Sequence, residues 1–161
     1  MVVYTDRHGV FRLGDRFLDA FRSRPVRWGF GALSWVTFLR TYSRDGEAWW
    51  QTCRRVIEGT FTVQRIHCLE RALPWDERKA TAFAEEAYRR LFDFKWTPPG
   101  RGLWTMGTRF VYERGGAALN NCGFVSTRAA SISASATSQC EKFVTAVGVP
   151  MREREWKNCV R

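Results

Sequence analysis

No CxxC or CxxxC pair occurs among the five cysteines Cys53, Cys68, Cys122, Cys140 and Cys159, and their number is odd. Neither a disulfide framework nor a structural zinc site is indicated. The chain also has no run of five or six basic residues of the kind that forms a nucleic-acid-binding tail. Its start, MVVYTDRHG, turns polar within a few residues, which argues against a secretory signal. The longest apolar-rich stretch, Trp28 to Leu39, is too short and too interrupted to span a bilayer. Internal repeats are absent. Together these absences predict a cytoplasmic protein in a reducing compartment, with no membrane-embedded part.

What is present suits a globular chain. The 161 residues are enough for one domain with a hydrophobic core, and 45% of them are hydrophobic, with eight Trp and twelve Phe. Large aromatic side chains bury much area per residue, which offsets a high charge. The formal net charge of +10 favours anionic partners such as nucleotides, nucleic acid or an acidic protein surface. An equally simple reading is a solvated basic surface, or a fragment whose acidic complement lies elsewhere. The basic residues are scattered: Arg22, Arg24 and Arg27, then Arg54 and Arg55, then Arg89 and Arg90.

Periodicity predicts a mainly helical N-terminal region, residues 1–96. A turn or two of helix over Asp15 to Phe21 stops before Pro25. Ala32 to Tyr42 reads as a helix with aromatics on nearly all faces, hence a buried one. In Glu47 to Glu58, Trp49, Cys53, Val56 and Ile57 fall at i, i+4, i+7 and i+8, with Asp45 as a candidate cap and Gly59 as the stop. The strongest pattern runs from Asp76 to Phe92. Acidic residues open it, Arg89 and Arg90 close it, and Ala80, Phe83, Ala84, Ala87, Tyr88 and Leu91 make one stripe. Thr97-Pro98-Pro99-Gly100-Arg101-Gly102 cannot continue a helix. Ala118 to Val125 reads as a short strand, and residues 128–161 as a divergent tail whose RAASISASATSQ run is linker or disorder.

Chemistry concentrates in Ala118-Leu119-Asn120-Asn121-Cys122-Gly123-Phe124. A cysteine in a strand, flanked by amides and followed by glycine, is held rigidly while the backbone stays open to a ligand. The plain alternative is a buried structural cysteine, since a reactive thiol needs a lowered pKa or a defined partner. Arg101 in the Pro-Pro-Gly-Arg loop is a candidate phosphate contact, weighed against a rigid connector, which is the favoured reading. Arg44, Arg54 and Arg55 could touch a nucleotide or simply be solvated. His67 beside Cys68 is rejected as a metal pair, because adjacent side chains rarely point the same way.

Several segments, in order, closely resemble the monomeric class II ribonucleotide reductases. They are Arg40-Thr41-Tyr42-Ser43-Arg44, Glu47 with Trp49, and Arg54-Arg55-Val56-Ile57-Glu58-Gly59. Pro98-Pro99-Gly100-Arg101-Gly102-Leu103-Trp104-Thr105-Met106-Gly107-Thr108 and Gly116 to Cys122 follow. The resemblance covers roughly residues 25–127.

That resemblance implies a mainly α fragment leading into the first strand of a ten-stranded α/β barrel, with residues 97–127 forming the loop and that strand. It implies an adenosylcobalamin-dependent enzyme reducing ribonucleoside triphosphates through a thiyl radical, mostly monomeric, with a deoxynucleotide effector and thioredoxin as reductant. Cys122 matches the first of two reducing cysteines, which deliver two electrons to the ribose and become a disulfide. Asn121, and with it Asn120, would lie near the substrate ribose. The radical cysteine, the second reducing cysteine and the cobalamin site have no counterpart here, so no cofactor-binding residue is assigned. After Thr127 the sequence departs from the family, which predicts a truncated, frameshifted or intron-read product that is inactive alone. The alternative is a small basic nucleic-acid-binding or regulatory module without catalytic activity.

Overall fold

The structure, a computed structural model, describes residues 8–114 and residue 119. An extended strap over residues 9–14 leads into helix α1 (Asp15–Arg22). Helix α2 (Ala32–Thr37) runs on into a π-helical turn (Phe38–Tyr42). Two longer helices follow, α3 (Trp49–Glu70) and α4 (Glu77–Phe92), and then two short ones, α5 (Gly100–Thr105) and α6 (Arg109–Arg114).

Helices α3 and α4 form an antiparallel hairpin. The start of α3 lies against the end of α4, where the Trp49 indole Nε1–H donates to the Phe92 carbonyl at 3.1 Å. Near the other end, Arg65 approaches Glu77. The sequence periodicity explains the seam: Trp49, Cys53, Val56 and Ile57 are buried from α3, and Ala80, Ala84, Tyr88 and Leu91 from α4. Tyr88 is fully buried yet satisfied, its hydroxyl donating to the Trp50 carbonyl at 2.9 Å. Leu18 and Phe21 of α1 and Phe11 and Leu13 of the strap close the core.

Aromatic side chains fill the end of the hairpin. Trp49 stacks on Phe94 with ring centroids 4.6 Å apart, and meets Phe38 edge-on at 5.4 Å. Trp28 touches Phe38, Trp49 and Phe94. Such pairs contribute about 0.5–1.5 kcal/mol each beyond their buried area. These rings are therefore packed on one another and do not form an exposed stacking platform for bases.

Helix α4 begins as the pattern predicts, with the Asp76 carboxylate accepting from the Lys79 backbone N–H at 3.0 Å. Four expectations need correction. Helix α3 does not stop at Gly59 but continues to Glu70, and Asp45 is no cap: it sits at φ 51° in the preceding turn. Gln51 caps α3 instead, its side-chain oxygen accepting from the Ala48 N–H at 2.7 Å. The Ala32–Tyr42 segment is not a buried helix, for none of the residues of α2 is buried and only Phe38 of the π turn is. Phe83 faces solvent, off the buried stripe of α4. As expected, Pro98 and Pro99 do not continue a helix, and Gly100 and Arg101 open a new one. Proline before a first turn is harmless because the N–H groups there have no intrahelical acceptor. The expected strand lies outside the described residues except for Leu119, which is in a 3₁₀ turn. No helix among the described residues is long and apolar enough to cross a membrane.

Gly59 is inside α3 for a packing reason. A Cβ there would lie 2.4 Å from both the Cα and the N of Gly107. Glycine in a helix interior ordinarily costs about 1 kcal/mol relative to alanine. Here Gly59→Ala should lose that gain and destabilise the fold by about 1–3 kcal/mol, read as a lower urea midpoint. A stabilised variant would show that the α3–Gly107 approach is wrong.

Burial pushes the Cys53 thiol and the Tyr88 phenol up. Both groups are raised acids, so above about pH 8.5–10 the unfolded chain sheds protons that the folded chain keeps. Stability should be level below that window and fall as pH rises through it. Thermal melts at pH 7.5 and pH 10.5 check this, and a melting point insensitive to alkali would contradict it.

Candidate functional site

Two buried or half-buried acids organise the face of α3 that looks toward α5 and α6. Glu58 is 4% exposed. Its carboxylate accepts from the Leu13 backbone N–H at 3.0 Å, from Arg12 at 2.9 Å and from Arg54 Nε at 2.9 Å. Burying a carboxylate is costly unless such donors replace water. One helical turn further on, Thr62 extends the same attachment. Its hydroxyl donates to the Glu58 carbonyl at 2.6 Å and accepts from the Phe11 N–H at 3.0 Å. The strap is thereby fixed to α3 by its own backbone.

Glu47 is half-buried and accepts from Arg55 Nε at 2.9 and 3.1 Å and from the Thr52 hydroxyl at 3.0 Å. The rest of the Arg55 guanidinium reaches backbone carbonyls: Met106 at 2.7 Å, Leu103 at 3.2 Å, and Trp104 and Tyr42 at 3.4 Å. Leu103, Trp104 and Met106 lie at the C-terminal end of α5, whose last carbonyls have no intrahelical donor. A guanidinium placed there satisfies them and complements the negative end of the helix. Gly107, at φ +77°, follows immediately, and a Cβ on it would meet the Arg55 carbonyl oxygen at 2.2 Å. Only glycine fits.

Between these acids opens a polar cleft of about 540 Å³, bordered by Arg12, Glu47, Arg54, Arg55, Glu58 and Tyr112 among others. Burial raises the Tyr112 phenol, so it stays protonated at neutral pH. The charges are arranged as mutual pairs, which makes the cleft a positioning device first.

The predicted site residues fare differently. Cys122, Asn121 and Asn120 lie outside the described residues. Arg101 lies over the Trp104 ring at 5.5 Å, and Arg44 over the same ring at 5.3 Å. Both cations are thus engaged with α5. Arg54 and Arg55 serve different acids but border the same polar cleft, whereas Arg44 lies apart from them, over Trp104. Among the described residues no three of His, Cys, Asp and Glu come together as a metal-holding group, His67 and Cys68 included. The sequence pattern does not mark Glu58, Glu47 or Arg12 as site residues, since single charged side chains read as solvated. The signal that could have found Glu58 is its place one turn beyond Arg54, on the same edge as the buried stripe.

Comparisons with known proteins agree with one another. The ribonucleotide reductase alpha domain family matches residues 13–108. An adenosylcobalamin-dependent ribonucleoside-triphosphate reductase of Euglena gracilis is 41% identical over 124 residues, covering 73% of this chain and 17% of that protein. A protein of Dictyostelium discoideum named "Probable adenosylcobalamin-dependent ribonucleoside-triphosphate reductase" is 39% identical over 123 residues, 73% of this chain and 16% of the relative. The enzyme of the same name from Lactobacillus leichmannii is 35% identical over 126 residues, 72% of this chain and 16% of its own. The chain thus spans about one-sixth of the length of the curated relatives it matches. No solved structure matches it.

Replacing Arg55 by Lys keeps the charge but cannot fork between a carboxylate and several carbonyls. Arg55→Lys should therefore destabilise the chain by about 2 kcal/mol in urea unfolding. A loss below about 0.5 kcal/mol would show that the clasp is dispensable.

Proposed function

The chain belongs to the ribonucleotide reductase alpha-domain family, and from that premise we propose that it is the N-terminal helical part of an adenosylcobalamin-dependent ribonucleoside-triphosphate reductase. The observation that carries this reading is 39–41% identity to two such proteins over nearly three-quarters of the chain. The described residues fit a supporting role. Their acids and arginines pair with each other, and no cluster of metal ligands is present among them. We assign no residue of this chain to the relatives' cobalamin.

In this reading Cys122 is one of two thiols that reduce the substrate. As a thiol it protonates the departing 2′-hydroxyl, and with its partner cysteine it supplies two electrons and ends as a disulfide. A thioredoxin-type dithiol then restores the pair by exchange. Asn121 and Asn120 approach the ribose. Ribonucleoside triphosphate is the substrate, and a deoxynucleotide acts as effector elsewhere in the intact protein. The Arg55 clasp is consistent with this reading, because it fixes the end of α5, which in sequence precedes α6 and then the Asn120–Cys122 segment.

Cys53 has no such role. It is buried in the α3–α4 seam with its thiol pushed up by burial, so little thiolate forms near neutral pH.

Assayed alone with adenosylcobalamin, ribonucleoside triphosphates and a dithiol, the chain should form no deoxynucleotide, and robust turnover would overturn the assignment as a part. In an intact reductase carrying the Asn-Asn-Cys-Gly-Phe segment, changing that cysteine to serine should cut multiple-turnover product by at least about a hundredfold. Retained turnover would remove Cys122 from the chemistry.

A further inference from the structure

The polar cleft of about 540 Å³ is bordered by three arginines, Arg12, Arg54 and Arg55, but by only two carboxylates, Glu47 and Glu58. Arg55 and Glu47 form one pair. Glu58 therefore serves both Arg12 and Arg54. One positive charge on the walls of the cleft is left without a counterion. Tyr112, the remaining titratable residue there, is kept protonated by burial and does not offset it.

The hydrogen-bond inventory has the same sign. Both oxygens of Glu47 accept from Arg55, and one also accepts from the Thr52 hydroxyl. On Glu58, Oε1 accepts from the Leu13 N–H and from Arg54 Nε, and Oε2 from Arg12. The acceptors are engaged, but the donors are not used up. Arg54 gives Glu58 only its Nε–H, and neither of its Nη groups meets an acceptor among the described residues. Among those residues the one buried side-chain polar atom without a partner is Arg65 Nε, so the Nη groups of Arg54 are open to solvent. Arg12 donates through one Nη alone and is 63% exposed. Gln51, one turn before Arg54 on the same face of α3, uses its oxygen to cap the helix, which leaves its amide NH₂ available.

Spare donors and an unmatched cation on one cavity suit an oxyanion. A planar guanidinium presents paired N–H groups at the spacing of two phosphate oxygens. We propose that this cleft binds a phosphate group, held by Arg54 and Arg12 with Gln51 as a neutral donor. The cleft falls in the size range of small-ligand sites, so it admits free phosphate or the phosphate end of a nucleotide. The proposal goes beyond the reductase reading and stands without it.

Calorimetric titration of the 161-residue chain with inorganic phosphate, and separately with a ribonucleoside triphosphate, tests this. The salt is set at about 0.15 M, where distant charges are screened. At least one of the two ligands should bind saturably, one per chain. Arg12→Gln and Arg54→Gln should each weaken that binding at least about tenfold, the effect of losing a charged hydrogen bond. Arg78→Gln removes the same charge from an exposed position on α4 outside the cleft, and should change the affinity less than about twofold. A triphosphate that binds at least about tenfold tighter than phosphate identifies a nucleotide as the occupant, and equal affinities identify the free ion. Absence of saturable binding by either ligand would overturn the proposal. So would a loss in Arg78→Gln that matches the other two, which would assign binding to the overall charge of +10. Arg54 partners the buried Glu58, so if its variant melts at a lower temperature, the mostly exposed Arg12 decides by itself.

Discussion

Six acceptor atoms surround the guanidinium of Arg55: both oxygens of the Glu47 carboxylate and the carbonyls of Tyr42, Leu103, Trp104 and Met106. They come from stretches of sequence before and well after α3, the helix that carries Arg55 itself. Without that cation the last carbonyls of α5 would lose their charged donor, and both oxygens of the Glu47 carboxylate would lose the Arg55 Nε–H they share. Short helices such as α5 have little stability of their own, because nucleating a helix is costly. What holds α5 in place is tertiary, and Arg55 is the main polar component of it.

The same contact explains why the sequence segments that resemble the reductases are spaced as they are. Arg40 to Arg44, Glu47, Arg54 to Gly59 and Pro98 to Thr108 are far apart in the chain, yet they meet around one side chain. Tyr42 offers a carbonyl, and the Ser43 hydroxyl donates to the Glu47 carbonyl at 2.8 Å, fixing the acid that faces Arg55. Gly59 and Gly107 let the two backbones approach closely enough for Arg55 to reach across. A glycine pair at a backbone contact and an arginine clasp beside it are one device, since neither distance is possible without the other.

Glu58 does for the N-terminal strap what Arg55 does for α5. Its buried carboxylate, paired with Arg54 of the same helix, draws the Leu13 N–H and Arg12 onto α3, and Thr62 repeats the attachment at Phe11. Both networks consume most of their own charges. The net charge of +10 is consequently not concentrated in a single anion pocket among the described residues. Part of it lies on the exposed side chains of Arg27, Arg40 and Lys95.

Residue pattern alone determined the mainly helical character, the apolar stripes of α3 and α4 and the start of α4. Those features depend on local spacing: apolar residues at helical intervals, acidic residues in a first turn, arginines in a last turn. The family was likewise legible, because several ordered motifs seldom coincide by chance. Tertiary structure alone decided the rest. Gly59 reads locally as a stop, but its missing Cβ serves a contact with Gly107, nearly fifty residues away, which no local pattern can express. Leu33, Trp35, Val36 and Leu39 read as core yet lie exposed, since the hydrophobicity of a segment does not say what packs against it. Glu58 and Arg55 read as solvated charges, because their burial depends on donors and acceptors that only the folded chain brings within 3 Å.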